Sequence, residues 1–270
     1  MTQPARLLLA FLALFCALGA IVWQFRKQAP QSTPVLSGAP VKEAEAPQNP
    51  ETPRADSATG AIEGEVALEG PAPSMPPLKV GTDPICSRAQ GPNAQVLLRG
   101  GKLENVVVRI AGGPRQTPPS APIEVLQEGC TYLPRVQGAV AGQTLIVRNR
   151  DPTLHNVHGY EAGKTLFNQA QPAQGAPIQK TVGAVGSILT LRCDVHPWMT
   201  AFVAVNDNRW FAVTGGDGRF RISGIPEGNY HLSSWHERFG TKTAEVAVKP
   251  GEIARVAFSY RPDDRGLGSL

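Results

Sequence analysis

From Gly60 onward the chain breaks into short runs in which apolar residues take alternate positions, separated by turns rich in glycine and proline. In GAIEGEVALEG, Gly60 to Gly70, Ile62, Val66 and Leu68 share one parity. That period belongs to a strand whose successive side chains face opposite ways. The same reading holds for NVVVRIAG from Asn105, APIEVLQEG from Ala121, GQTLIVRNRD from Gly142, GSILTLRC from Gly186 and MTAFVAVND from Met199. Two longer stretches, starting at Trp210 and Thr243, are cut by turns at Gly215–Gly218, Pro226–Gly228 and Lys249–Glu252. With 28 glycines and 25 prolines the chain favours turns over long helices. Regularly spaced short strands of this kind predict an all-β architecture of sandwich type.

The first 59 residues read differently. Leu7 to Trp23 is apolar and uncharged, with Arg6 before it and Arg26 and Lys27 after it. At 17 residues it is a short transmembrane helix or the core of a signal peptide, and either exports the remainder of the chain. Residues 28–59 carry six prolines and few large apolar side chains, the composition of a disordered tether. The formal charge is +4, but without Arg6, Arg26 and Lys27 the remainder has 23 basic and 22 acidic residues. No basic stripe interleaved with aromatics appears, so no nucleic-acid partner is expected.

RCDVHPWMTAF, Arg192 to Phe202, places three soft donors in seven residues: Cys193, His196 and Met199. In GSILTLRC the period-two rule puts the Cys193 thiol on the face of Leu189 and Leu191, at a strand end. Pro197 favours a tight turn after it. A trigonal site of two imidazoles and one thiolate with a weak axial thioether suits copper. The second imidazole is then sought among five histidines, and NRDPTLHNVHGY supplies His155 in the loop after a strand. His158 is the fallback donor, and His231 and His236 are read as structural or solvated. With Cys16 in the apolar run and Cys193 in the motif, Cys86 and Cys130 are either a disulfide pair, which suits an exported chain, or two buried thiols.

LHNVH followed by CDVHPWM resembles the cupredoxins, in particular the branch with an amicyanin-like ligand loop. The resemblance spans roughly Ala121 to Asp207. It implies a Greek-key β-sandwich holding copper through His155, Cys193 and His196, with Met199 axial and the backbone of Asn156 restraining the thiolate. The branch often has proline where this chain has Val195, and a smaller aromatic at Trp198. Separately, GAIEGEVALEG, NVVVRI and AVTGGDGRFRISGIPEGNYHL resemble carboxypeptidase-regulatory-like, transthyretin-like sandwich modules. These segments flank the copper segment, so one domain is expected to interrupt the other. The boundaries read 1–27 anchor or signal peptide, 28–59 linker, 60–118 first part of the outer sandwich, 119–207 cupredoxin domain, and 208–262 its second part.

The combined expectation is an exported, periplasmic type 1 copper protein, tethered to the membrane by its N-terminus. It would pass single electrons to a redox partner such as a cytochrome or an oxidase, with His196 as the exit. Two alternatives use the same residues: a copper storage or delivery module, and a structural envelope protein. No Ser/His/Asp triad or paired-carboxylate constellation stands out, and on that ground the chain is expected not to be an enzyme.

Overall fold

The structure, a computed structural model, describes residues 59–88 and 93–265. The expected membrane anchor and all but the last residue of the linker lie outside the described residues. Among those described, no helix is long and apolar enough to cross a membrane. They form eighteen strands and a single 3-10 turn at Cys86–Arg88.

The strands of the N-terminal part are β1 (Thr59–Leu68), β2 (Leu98–Arg99), β3 (Lys102–Leu103) and β4 (Val107–Ala111). The middle part contains β5 (Ile123–Gln127), β6 (Tyr132–Leu133), β7 (Val136–Val140), β8 (Thr144–Asn149) and β9 (His155–Glu161). It continues through β10 (Lys164–Gln171), β11 (Ile178–Thr181), β12 (Ile188–Arg192) and β13 (Thr200–Asn206). The C-terminal part has β14 (Phe211–Val213), β15 (Arg219–Pro226), β16 (Gly228–His236), β17 (Gly240–Val248) and β18 (Ile253–Tyr260).

Two sandwiches result. In the first, β1 pairs antiparallel with β15 and parallel with β18, so its N-terminal strand lies between two C-terminal ones. The facing sheet runs β14-β4-β16-β17. Their common core joins Ile62, Val66 and Ile110 to Phe220, Leu232 and Phe258. In the second sandwich, β10-β9-β12-β13-β7 faces β11-β8-β5-β6 around Val125, Leu145, Val157, Leu191 and Val203. The chain leaves the first core after β4 and returns at β14, and those two strands pair with each other, Arg109 opposite Phe211. Closing an antiparallel pair there lets the outer strands form one ladder whatever lies between them.

The sandwiches meet along β4, β7 and β13. Val107, Val136 and Ala204 are buried together at that seam, with Phe202 and Trp235 edge to face at 5.4 Å. Arg135 makes a two-pronged ion pair with Glu237, at 2.6 and 2.8 Å, and donates a further bond to the Thr200 carbonyl. Gly138 allows close approach, since a Cβ there would stand 2.3 Å from the Phe211 ring.

Sequence alternation missed the two-residue strands β2, β3 and β6, and also β7, β9, β10 and β11. Strands β7 and β9 carry glycines at Gly138 and Gly159 on which aromatic rings rest, and β10 is largely exposed on both faces. Neither arrangement leaves a clean apolar alternation to read.

Candidate metal centre

Leu189, Leu191 and Cys193 are buried on one side of the β12 ladder and Arg192 is exposed on the other, the parity that alternation predicts. After Cys193 the chain turns back within six residues. The Met199 N–H donates to the His196 carbonyl, and the Cys193 N–H to the Met199 carbonyl. Cys193, His196 and Met199 therefore all end up buried at one pole of the second sandwich.

His155 reaches the same pole from another direction. It opens β9 rather than lying in a loop, a correction to the sequence reading. Asn149 shapes the crossing from β8 to β9. Its side-chain oxygen accepts from Asp151 N, and its amide donates to the carbonyls of Thr153, Gln171 and Pro172. The crossing delivers the His155 ring fully buried.

The hub is His196 Nδ1, 2.8 Å from His155 Nδ1 and 3.7 Å from Cys193 Sγ. The Asn156 backbone N–H points at the same sulfur at 3.5 Å. The Asn156 side chain is itself held by Asn168 and Asp194. Tyr132 donates to the Asn156 carbonyl at 2.6 Å, and burial pushes its phenol far up in pKa. Burial lowers the pKa of His196, and neighbouring His155 lowers it further, against the pull of Asp83 and Asp151. Its neutral form, the one that can donate a lone pair to a metal, is thereby favoured.

Asp151 was not anticipated. It is buried, and its carboxylate accepts from the backbone N–H groups of Gly129 and Cys130 and from His155 Nε2 at 2.9 Å. A proton kept on Nε2 leaves the Nδ1 lone pair free, the usual task of a carboxylate behind a metal-binding histidine. The sequence carries the pair as D-x3-H, but such spacing has a clear meaning only on a helix, and here it spans a turn.

Cys86 and Cys130 form a disulfide, with 5.5 Å between their Cα atoms. The bridge fastens the connection after β1 onto the second sandwich, whose core both sulfurs join. Asp83 organises that connection. Its carboxylate accepts from the N–H groups of Ile85 and Cys86 and from the Thr153 hydroxyl, and lies 3.8 Å from His196 Nε2. Trp198 packs 5.1 Å from the His196 ring and donates to the Cys130 carbonyl. His196 is in consequence only 1% exposed. The ring of His196, the expected exit, has no exposed edge, because a segment distant in sequence covers it.

The remaining histidines stay apart from this cluster. His158 is engaged by Asp194, Tyr160 and Thr165 near the surface. His231 is exposed, and His236 is buried against Phe239 in the first sandwich.

The donor set fits a copper ion on its chemistry. Two imidazole nitrogens and a buried thiol converge, a backbone N–H is aimed at the sulfur, and a buried methionine closes the same loop. Thiolate and thioether ligands disfavour magnesium and calcium. Residues His155, Cys193 and His196 would hold the ion, with Met199 as the weak donor. A copper ion so held supplies one-electron chemistry.

No protein-family profile and no curated protein matches this sequence. Solved structures do. A purple cupredoxin from Nitrosopumilus maritimus matches at 22% identity and a TM-score of 0.28, over 31% of this chain and 99% of that one. A Cu(I) form of an amicyanin variant matches at 20% identity and a TM-score of 0.29, over 37% of this chain and 98% of the other. A copper-containing nitrite reductase from Thermus scotoductus matches at 20% identity and a TM-score of 0.29, over 37% of this chain and 25% of the enzyme. That last similarity overturns the expectation that the chain is not an enzyme. A missing triad says nothing where a metal supplies the chemistry. These likenesses reach about a third of the chain and concern its fold.

Proposed function

We propose that the second sandwich is a mononuclear copper centre that carries single electrons, with His155, Cys193 and His196 as ligands and Met199 as the axial donor. The observation that carries this reading is the convergence of His155 Nδ1 and Cys193 Sγ on His196 Nδ1, at 2.8 and 3.7 Å. The site sits between two sheets whose register is set by long ladders, and the hydrogen bonds of Asp151, Asn156 and Tyr132 tie its parts to the frame. A frame that holds its ligands fixed suits an ion that must change oxidation state with little rearrangement. Trp198, partly exposed beside His196, continues from the ligand set toward solvent and toward a protein redox partner such as a cytochrome or an oxidase. An exported chain held to the extracytoplasmic face of a membrane by residues 1–27 would place the centre where such partners work.

The test is an absorption and paramagnetic-resonance spectrum of the copper-loaded full chain beside Cys193→Ser. An intense thiolate-to-copper band in the parent, lost in the variant, is the expected result. A parent that binds copper without that band would refute the reading.

A further inference from the structure

The ladder between β9 and β12 stops just before Cys193. Its register runs from Leu189 opposite Glu161 to Arg192 opposite His158. Carried on, the same register would set Asp194 opposite Asn156, with their backbone groups available to bond across the strands. Other bonds stand there instead. The Asp194 N–H donates to the Asn156 side-chain oxygen, and the Asn156 N–H points at Cys193 Sγ at 3.5 Å. The Asn156 carbonyl accepts from the Tyr132 hydroxyl at 2.6 Å. The sulfur has this donor because the two strands part here. An amide spent on the ladder would not be free for it.

Tyr132 belongs to β6 in the facing sheet, and its side chain is fully buried. Its oxygen also stands 3.3 Å from the carbonyl of Arg192, the residue before Cys193. One hydroxyl therefore touches both strands where they separate. It has a single proton to give, so the short bond to β9 is the strong one and the contact with β12 the weak one. Burial pushes the phenol up in pKa, with Cys193 and Asp194 adding to the effect, so that proton stays on the oxygen.

We propose that Tyr132 is a positioning residue: it holds β9 and β12 apart, keeps the Asn156 N–H on the Cys193 sulfur, and so sets the reduction potential of the centre. The effect on potential rests on the copper reading, and the clamp itself does not. Without the hydroxyl the Asn156 carbonyl becomes a buried acceptor that needs a new partner. The Asp194 N–H, which the register sets opposite it, can fill that place. The strands then close, and the Asn156 N–H turns from the sulfur to the Asp194 carbonyl. A thiolate that loses a hydrogen-bond donor gives more charge to Cu(II), so the potential falls.

Tyr132→Phe keeps the ring and removes only the hydroxyl. The first measurement needs no metal. In the full chain carrying isotope-labelled asparagine, Cys193→Ala should move the Asn156 amide proton resonance. In the Tyr132→Phe background the same change should leave that resonance nearly in place. Equal movements in the two backgrounds would overturn the proposal. In the copper-loaded chain, Tyr132→Phe should shift relative affinity toward Cu(II) by about tenfold, the worth of one hydrogen bond. Voltammetry would read that as a fall of about 59 mV. An unchanged or raised potential overturns the proposal equally. Leu145→Val is the control, because it trims the same core near the start of β8 without touching the split. It should leave the potential in place, and a fall as large as that of Tyr132→Phe would overturn the role of the hydroxyl. If circular dichroism shows Tyr132→Phe to be unfolded, 3-fluorotyrosine is placed at position 132 instead. As a stronger donor it should raise the potential, and no change would overturn the proposal. A parent without a thiolate-to-copper band refutes the copper reading alone, and the metal-free amide comparison then decides on Tyr132.

Discussion

Asp151→Asn probes how the buried carboxylate supports the ligand set. One carboxylate oxygen accepts from Cys130 N and His155 Nε2, both at 2.9 Å, and the other from Gly129 N at 2.8 Å. An asparagine can keep its single oxygen toward Cys130 and His155. Its amide then faces the Gly129 N–H, which is exposed enough to turn to water. The fold should therefore lose only about 1 kcal/mol, one ordinary hydrogen bond. The histidine loses more, because its bond is no longer to a charge. Changes behind a metal-bound histidine lower affinity about 10–100-fold, which is about 1.4–2.7 kcal/mol. A less basic imidazole disfavours Cu(II) more than Cu(I), so the reduction potential should rise by about 59 mV for each tenfold difference. The assay is competition titration of both oxidation states with voltammetry, beside denaturant unfolding of the metal-free proteins. A change in Cu(II) affinity below about threefold, or a fall in potential, would refute the assignment of Asp151 to His155. A stability loss far above the hydrogen-bond figure would mean that Asp151 serves mainly the turn at Gly129 and Cys130.

Other perturbations test the frame. Arg135→Met strands Glu237, whose carboxyl burial already raises in pKa against the opposing pull of Arg135, and should cost about 3–5 kcal/mol. At about 2–4 °C per kcal/mol for a chain of this size, calorimetry should show a fall in Tm of at least about 6 °C, with Glu237→Leu added on top recovering most of it; a shift under about 2 °C contradicts the buried pair. Gly138→Val should destabilise by about 1–3 kcal/mol through overpacking against the Phe211 ring, and Phe211→Ala should relieve it in urea unfolding; additive losses would argue against the contact. His236 is held neutral down to about pH 3 by burial, with Arg135 and Arg238 adding to the effect. The unfolded chain takes up that proton near pH 6.5, so stability should fall as pH drops from 6.5 toward 3, by at most about 1.4 kcal/mol per unit. His236→Gln should flatten that slope in denaturant titrations, and an unchanged slope would show that other groups set it.

The legible part of this protein was the part written in short range. Alternation marked β1, β4, β8, β12 and β13, and it placed the Cys193 thiol beside Leu189 and Leu191, because a strand's period is independent of what it pairs with. The run from Cys193 to Met199 announced a soft-metal loop for the same reason: all its donors belong to one turn. Strands built on glycines or exposed on both faces left no such mark, and β7, β9 and β10 went unread; β11 is only four residues long, too short to show a period.

Whatever depends on distant segments was settled by folding. Only the folded chain brings β18 parallel to β1, or Asp151 to the far nitrogen of His155. It also lays Asp83 and Cys86, about a hundred residues before His196, across the histidine pole and takes that ring out of solvent. The order of residues alone tells which atoms are available to hold a metal. Which of them are supported or covered is set by long-range packing, which has no period along the chain.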